Sequence, residues 1–218
     1  MGFIVIKSIS DLVNNLKRDF GKYDSPIWFR GQSRSNWKLL PNYLRLKKPP
    51  SELSLLTKFK QNAVMLLDKS PKDNFDWLFL MQHYGVPTRL LDWSESSLVA
   101  LYFTVNEKKE HKKDGALWVL KPIELNIKAN IDSDEPNYIP SFEDVFLENY
   151  SVEKLHQEKN TKLYPMATIA TRNNIRIQAQ LGVFTISHRD KTPIDEIGDS
   201  SHIKKYVIPS NKKKGYIK

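Results

Sequence analysis

The chain of 218 residues contains no cysteine, which removes disulfide frameworks, thiolate metal sites and cysteine nucleophiles together. Glycine is scarce, eight residues in all, so the chain is neither collagen-like nor a Gly-rich linker. No window reaches the ~18 apolar residues of a membrane span, and MGFIVIKSISDLVNNLKRDF lacks the basic and apolar regions of a secretory leader. Gly2 follows Met1, but Ile6 stands where a myristoylation signal needs Ser or Thr. A cytoplasmic protein is the expectation. Phosphate-loop, dinucleotide-fold, zinc-protease and nucleophile-elbow signatures are also absent, and the five histidines are scattered without ligand spacing, so no metal is expected.

What is present is a folding composition: 40% hydrophobic residues, five Trp, nine Tyr and ten Phe, with a formal charge of +9. The length suits one domain with a substantial core. Ser10 is placed to cap a helix carrying Leu12, Val13, Leu16 and Phe20, with Gly21 as its stop. Pro26–Arg30 reads as a strand ended by Gly31. Leu56, Phe59, Ala63, Leu66 and Leu67 predict an amphipathic helix over Glu52–Asp68, and Asp73 should cap another that reaches about Tyr84. An extended piece over Thr88–Asp92 precedes a helix from about Ser94 to Glu107, with Leu98, Leu101, Tyr102 and Val105 as its buried stripe.

The charged run Glu107–Asp114 reads as a solvated turn and Gly115–Lys121 as a strand. Residues 122–161 are polar and acidic, with one helix candidate at Phe142–Tyr150. Strands are expected within Arg176–Ser187 and at Tyr206–Pro209, and Lys212–Lys214 reads as a peripheral basic tail that could touch phosphate or only aid solubility. These elements predict one α+β domain over 1–218, with mixed or antiparallel central sheets flanked by helices.

Three places break the binary pattern by embedding polar residues among apolar ones: Arg30 in WFRGQS; Gln82, His83, Tyr84, Thr88, Arg89, Asp92 and Ser94 in MQHYGVPTRLLDWS; and Arg176, Gln178 and Gln180 in RIQAQLGVF. Singly, each has a structural explanation, an Arg89–Asp92 ion pair or a helix cap at Asp92 or Ser94. Burying such groups costs several kcal/mol unless they are paired or serve a polar ligand, so their recurrence points to a shared site in which Asp92 accepts from Arg30 or Arg89 and His83 has a polar partner.

IWFRGQS, LFLMQHYGVPTRLLDWSESSLVALYFTV, ALWVLKP and RIQAQLGVFTIS resemble, in order and spacing, the FRG domain of bacteria and phages, over about residues 27–209. A second resemblance, to mono-ADP-ribosyltransferases, involves Phe29-Arg30-Gly31, Leu91–Ser94 followed by Leu98–Phe103, and Arg176–Phe184, where Gln178 or Gln180 replaces the glutamate of that superfamily. It implies an ADP-ribosyltransferase-like fold and a nucleotide ligand, NAD first, whose ADP-ribosyl group would be transferred to a protein or nucleic acid, in a toxin or phage-defence setting. Arg30, His83, Asp92 and Gln180 would be catalytic; Arg30, Gly31, Gln32, Tyr84, Arg89, Ser94 and Arg176 would bind the cofactor, with Gly31 exposing its backbone and Asp92 replacing the missing carboxylate. The competing readings are a nucleotide or nucleic-acid binding module stacking bases on Trp37, Tyr84 or Trp93, and a metal-independent nuclease using His83.

Overall fold

The computed structural model describes residues 4–67, 71, 73–131, 135–141, 143–169 and 181–216. The elements run β1 (Ile4–Val5), α1 (Ile9–Phe20), β2 (Trp28–Gln32), α2 (Asn42–Arg45), α3 (Glu52–Ala63), α4 (Asn74–His83), β3 (Leu90–Ser94), α5 (Ser97–Val105), β4 (Gly115–Leu120), α6 (Pro122–Lys128), α7 (Val145–Glu148), α8 (Val152–Gln157), β5 (Met166–Thr168), β6 (Gly182–Ile186), β7 (Ile203–Ile208) and α9 (Ser210–Lys213). The strands form one seven-stranded mixed sheet in the order β1-β7-β4-β2-β3-β6-β5, antiparallel except for the β1–β7 pair. The fold is α+β, as expected. No helix among the described residues is long and apolar enough to cross a membrane.

Helices cover both faces, which is why β4 can be apolar throughout. All six of its residues are buried, in keeping with a central strand that has no solvent side. On one face Trp28, Leu91, Trp93 and Trp118 pack with Leu125 of α6. On the other, Phe29, Leu117 and Val119 pack against Leu12 of α1 and Ala100 and Leu101 of α5. A third cluster joins Leu56 of α3 and Trp77, Leu78 and Met81 of α4 to Leu90, Phe184 and Ile186 at the far side of the sheet.

Several local expectations shift. Ser8, not Ser10, caps α1: its hydroxyl accepts from Asp11 N at 3.0 Å while the Asp11 carboxylate accepts from Lys7 N, leaving Ser10 inside the first turn. Gly21 keeps right-handed geometry (φ −63°) and supplies no left-handed stop. Helix α3 ends at Ala63, and Leu66 lies exposed beyond it. Strand β2 runs on through Gly31 to Gln32, and β3 begins at Leu90.

In α5 the buried positions are Ala100, Leu101, Thr104 and Val105, while Leu98 and Tyr102 face outward. Small residues make this contact because the helix lies almost on the β2 backbone. A Cβ on Gly31 would fall 1.9 Å from Ala100 O and 2.7 Å from Thr104 N. The polar region expected to hold one helix holds three, α6 to α8. Lys213, read in the sequence as part of a peripheral tail, is buried and donates to Ser33 O at 2.6 Å and Glu110 O at 3.1 Å. The charged turn is anchored as well, through a two-pronged Arg34–Glu110 ion pair.

Candidate functional site

Strands β2 and β3 pair at one position, Phe29 opposite Ser94, and then diverge. Across the opening Arg30 donates from Nη1 to the backbone oxygen of Asp92. A side chain thus takes a place that ladder bonds fill elsewhere in the sheet, and the gap it spans is a cleft of about 480 Å³. Its walls are β2, β3, α4 and α5, with Trp37, Asn42 and Arg45 closing the end beyond β2 and Gly182 and Phe184 of β6 the side beyond β3.

Arg30 is anchored at Nη1 only. Neither its buried Nε nor its Nη2 has a hydrogen-bond partner among the described residues. The Nε–Nη2 edge is the one with which Arg18 and Arg34 grip Asp19 and Glu110 in this same chain. Burial lowers the Arg30 pKa, the Asp92 charge opposes that shift, and Arg45 adds to it. The guanidinium nonetheless stays charged at neutral pH, as arginine does in proteins generally. A fixed cation with an unused two-donor edge matches a phosphate or carboxylate oxygen pair.

Asp92 faces the cleft with its side chain exposed to solvent, and its Oδ2 accepts from Gln82 Nε2 at 3.0 Å. The Gln82 amide is itself held, since Thr88 donates its hydroxyl to Gln82 Oε1 at 2.6 Å and accepts from Leu90 N at 3.2 Å. Ser94 is buried and accepts from Ser96 N at 3.0 Å, so its hydroxyl shapes the entry to α5. His83 lines the cleft beside Gln82; its ring meets Tyr84 edge-on at 5.1 Å, and it has no hydrogen bond to any described residue, contrary to the polar partner expected for it.

The structure therefore brings Arg30, Gly31, Gln32, His83, Asp92 and Ser94 to one cleft. Gln32 is buried there, accepting from Trp118 Nε1 at 2.9 Å. Gly31 does not offer the open approach expected of it, because α5 occupies the space where a Cβ would stand and its backbone is paired in register with Leu117. Tyr84, largely exposed, falls outside the lining.

Arg89 is the clearest correction. It is 1% exposed and donates to Glu52 Oε2, Ser187 O and Tyr150 O, each at 2.6 Å, so it ties α3 to the sheet away from the cleft. Side chains alternate along an extended chain, and a separation of three residues sends Arg89 and Asp92 to opposite faces. Asp92 accordingly accepts from Gln82 at its carboxylate, and an arginine reaches only its backbone. Arg176 and Gln180, with Gln178, lie outside the described residues.

The reading of the sequence missed Arg45, Asn42, Phe79 and Phe103 as wall residues. Arg45 sits in NYLRLKKPP, where nothing distinguishes it from the neighbouring surface lysines. Among the described residues no group of three His, Asp or Glu side chains is arranged to hold a metal ion.

No curated protein and no solved structure matches the chain, so no comparison supports the ADP-ribosyltransferase resemblance. One family model does match, over residues 25–113, ending before β4. That stretch carries β2, α2, α3, α4, β3 and α5, hence every wall of the cleft except Gly182 and Phe184. The model is that of the FRG domain, and residues 25–113 of the chain carry that domain.

Proposed function

We propose that the cleft binds a nucleotide, with NAD the first compound to test, and that the protein is an ADP-ribosyltransferase-like enzyme acting on a nucleic-acid or protein acceptor. The observation that carries the reading is the open Nε–Nη2 edge of Arg30, a built anion fork with a buried, unpartnered donor inside a cleft of ligand size. Arg45 adds a second positive charge, while Trp37, Phe79 and Phe103 offer apolar faces for a base or nicotinamide ring. Asp92, the one carboxylate among the described lining residues, would repel a bare polyphosphate but accept hydrogen bonds from ribose hydroxyls.

In the transfer reaction the bond from ribose C1′ to the nicotinamide nitrogen breaks and nicotinamide leaves with the electron pair. The acceptor bonds to C1′ and releases a proton to the Asp92 carboxylate or to water. Asp92, oriented by Gln82, would stabilise the positive charge that builds on the ribose, with His83 beside it. Support for the enzyme over a purely binding role lies in that oriented but exposed carboxylate.

Calorimetry with NAD, ADP-ribose and short oligonucleotides, together with chromatography for released nicotinamide, tests the proposal. Binding of NAD that Arg30→Ala abolishes, with turnover that Asp92→Asn removes while binding persists, is the expected result. Expression of wild type against Arg30→Ala in a bacterium tests the toxin or phage-defence setting. The formal charge of +9 and the part-exposed Trp37 favour one second reading, a nucleic-acid binding module. Salt-sensitive oligonucleotide binding that depends on Arg30, with no response to NAD or ADP-ribose, would establish that module instead.

A further inference from the structure

A second cavity, of about 290 Å³, opens on the other side of α2, between α3, α8 and the segment that follows β6. Its floor holds two buried polar atoms without a hydrogen-bond partner among the described residues. Glu52 is 7% exposed; its Oε2 pairs with Arg89, and its Oε1 has no partner. His188 is 2% exposed, with Tyr150 edge-on at 5.6 Å and Nδ1 unpartnered. Native interiors rarely leave two such groups unsatisfied in one place, because a buried polar atom without a partner has lost its hydration and gained nothing in exchange.

The two atoms want the same thing. Glu52 is a carboxylate in an ion pair, so Oε1 can only accept. Burial, with Arg89 and Arg189 nearby, pushes the His188 pKa down to about 4, and the ring is neutral at pH 7. In a neutral imidazole one nitrogen donates and the other accepts, and with the ring proton on Nε2 the unpartnered Nδ1 is a lone-pair acceptor.

The rim has the opposite character. Lys191 touches Leu46 O at 3.3 Å and keeps further donors, and Arg189 uses Nε and Nη2 on the Thr161, Leu155 and Glu158 carbonyls but leaves Nη1 without a bond to any described residue. Exposed His156 stands on the same rim.

We infer that this cavity is a second ligand site, separate from the cleft, for a small zwitterion: an ammonium group donating to Glu52 Oε1 and His188 Nδ1, and a carboxylate or phosphate facing Arg189 and Lys191. The volume suits a molecule of amino-acid size. The inference is independent of the nucleotide reading, because none of the atoms involved lines the cleft.

The experiment follows the His188 ring nitrogens by NMR in the full chain during titration with phosphoethanolamine, L-serine, ethanolamine or inorganic phosphate at millimolar concentration. The first two distinguish a phosphate from a carboxylate end, and the last two each lack one half of the recognised chemistry. A saturable change at Nδ1 with at least one zwitterion, at lower concentration than with either half, is expected. Lys191→Ala should weaken it about threefold, the scale of a rim ion pair, and Arg30→Ala should leave it unchanged. The inference is overturned by no saturable change with either zwitterion, by phosphate alone binding as well, by a response that Arg30→Ala removes, or by an internal water only beside Nδ1.

Discussion

Thr88 donates its hydroxyl to Gln82 Oε1 at 2.6 Å, which leaves Gln82 only its amide N–H groups to offer Asp92. The direction of that chain is fixed at its origin, since Leu90 N occupies the acceptor side of the Thr88 hydroxyl. A residue on the loop before β3 therefore decides how a carboxylate within β3 is held. Thr88→Val removes the donor to Oε1 and leaves the Gln82 amide held only through Nε2, which donates to Asp92 Oδ2 and, at 3.4 Å, to Leu90 O. Nucleotide affinity should fall about fivefold, the value of one hydrogen bond of about 1 kcal/mol, while Thr88→Ser should restore it. Equal loss in both variants, measured by calorimetry, would place the role of Thr88 in packing alone.

Arg30 and Arg89 should separate cleanly in stability. Arg89 fills three hydrogen bonds inside the core, and Arg89→Ala strands the Glu52 carboxylate, so a loss of about 3–5 kcal/mol is expected. Arg30 makes one bond and keeps a buried Nε unpartnered, so Arg30→Ala should cost less than about 1 kcal/mol while removing ligand binding. Urea midpoints of the two variants provide the comparison, and an Arg30→Ala loss as large as that of Arg89→Ala would identify Arg30 as structural.

Gly31→Ala should be among the most damaging single changes in the chain. Its Cβ would meet backbone atoms of α5 that cannot move without displacing the helix, and a loss of about 3 kcal/mol or more is expected. Gly85 provides the contrast. It has φ 77° with open space around it, so Gly85→Ala should cost only about 1 kcal/mol, from backbone conformation alone. Thermal midpoints that do not distinguish the two would contradict the close approach of α5.

Stability should fall in mild acid through His188. Burial and the neighbouring arginines lower its folded pKa to about 4 from the ordinary 6.5, so between those values the unfolded chain binds more protons than the folded one. The contribution is intact above pH 6.5 and is lost progressively as pH falls toward 4. Its ceiling is about 3 kcal/mol for a shift of that size. The wild-type unfolding midpoint should decline across this window, and His188→Gln should flatten the decline.

Much of the fold can be read from side-chain period. The alternation and apolar runs around Trp28–Gln32 and Gly115–Leu120 place central strands, and Asp73 caps α4 as its position predicts. The helices of residues 122–161 are hidden because they are short, and a helix of four to seven residues offers too few turns for a period to show. Leu98 and Tyr102 look like a buried stripe to any rule that counts hydrophobicity. The contact instead falls to Ala100 and Thr104, since only small side chains let α5 close on Gly31.

For the site, the sequence shows which residues violate the binary pattern, and five of them (Arg30, Gln82, His83, Asp92 and Ser94) share the cleft because polar side chains in apolar surroundings need a partner or a ligand. What it could not decide is which need each one answers. Arg30 and Arg89 stand in similar local contexts, each next to a short apolar run, Ile27-Trp28-Phe29 before the one and Leu90-Leu91 after the other. The tertiary structure alone separates them: β3 carries Arg89 to the face where Glu52 and two carbonyl oxygens complete its hydrogen bonds, and the parting of β2 from β3 leaves Arg30 with half of its guanidinium unused. Pairing partners far apart in the chain settle that difference, and short-range periodicity has no record of them.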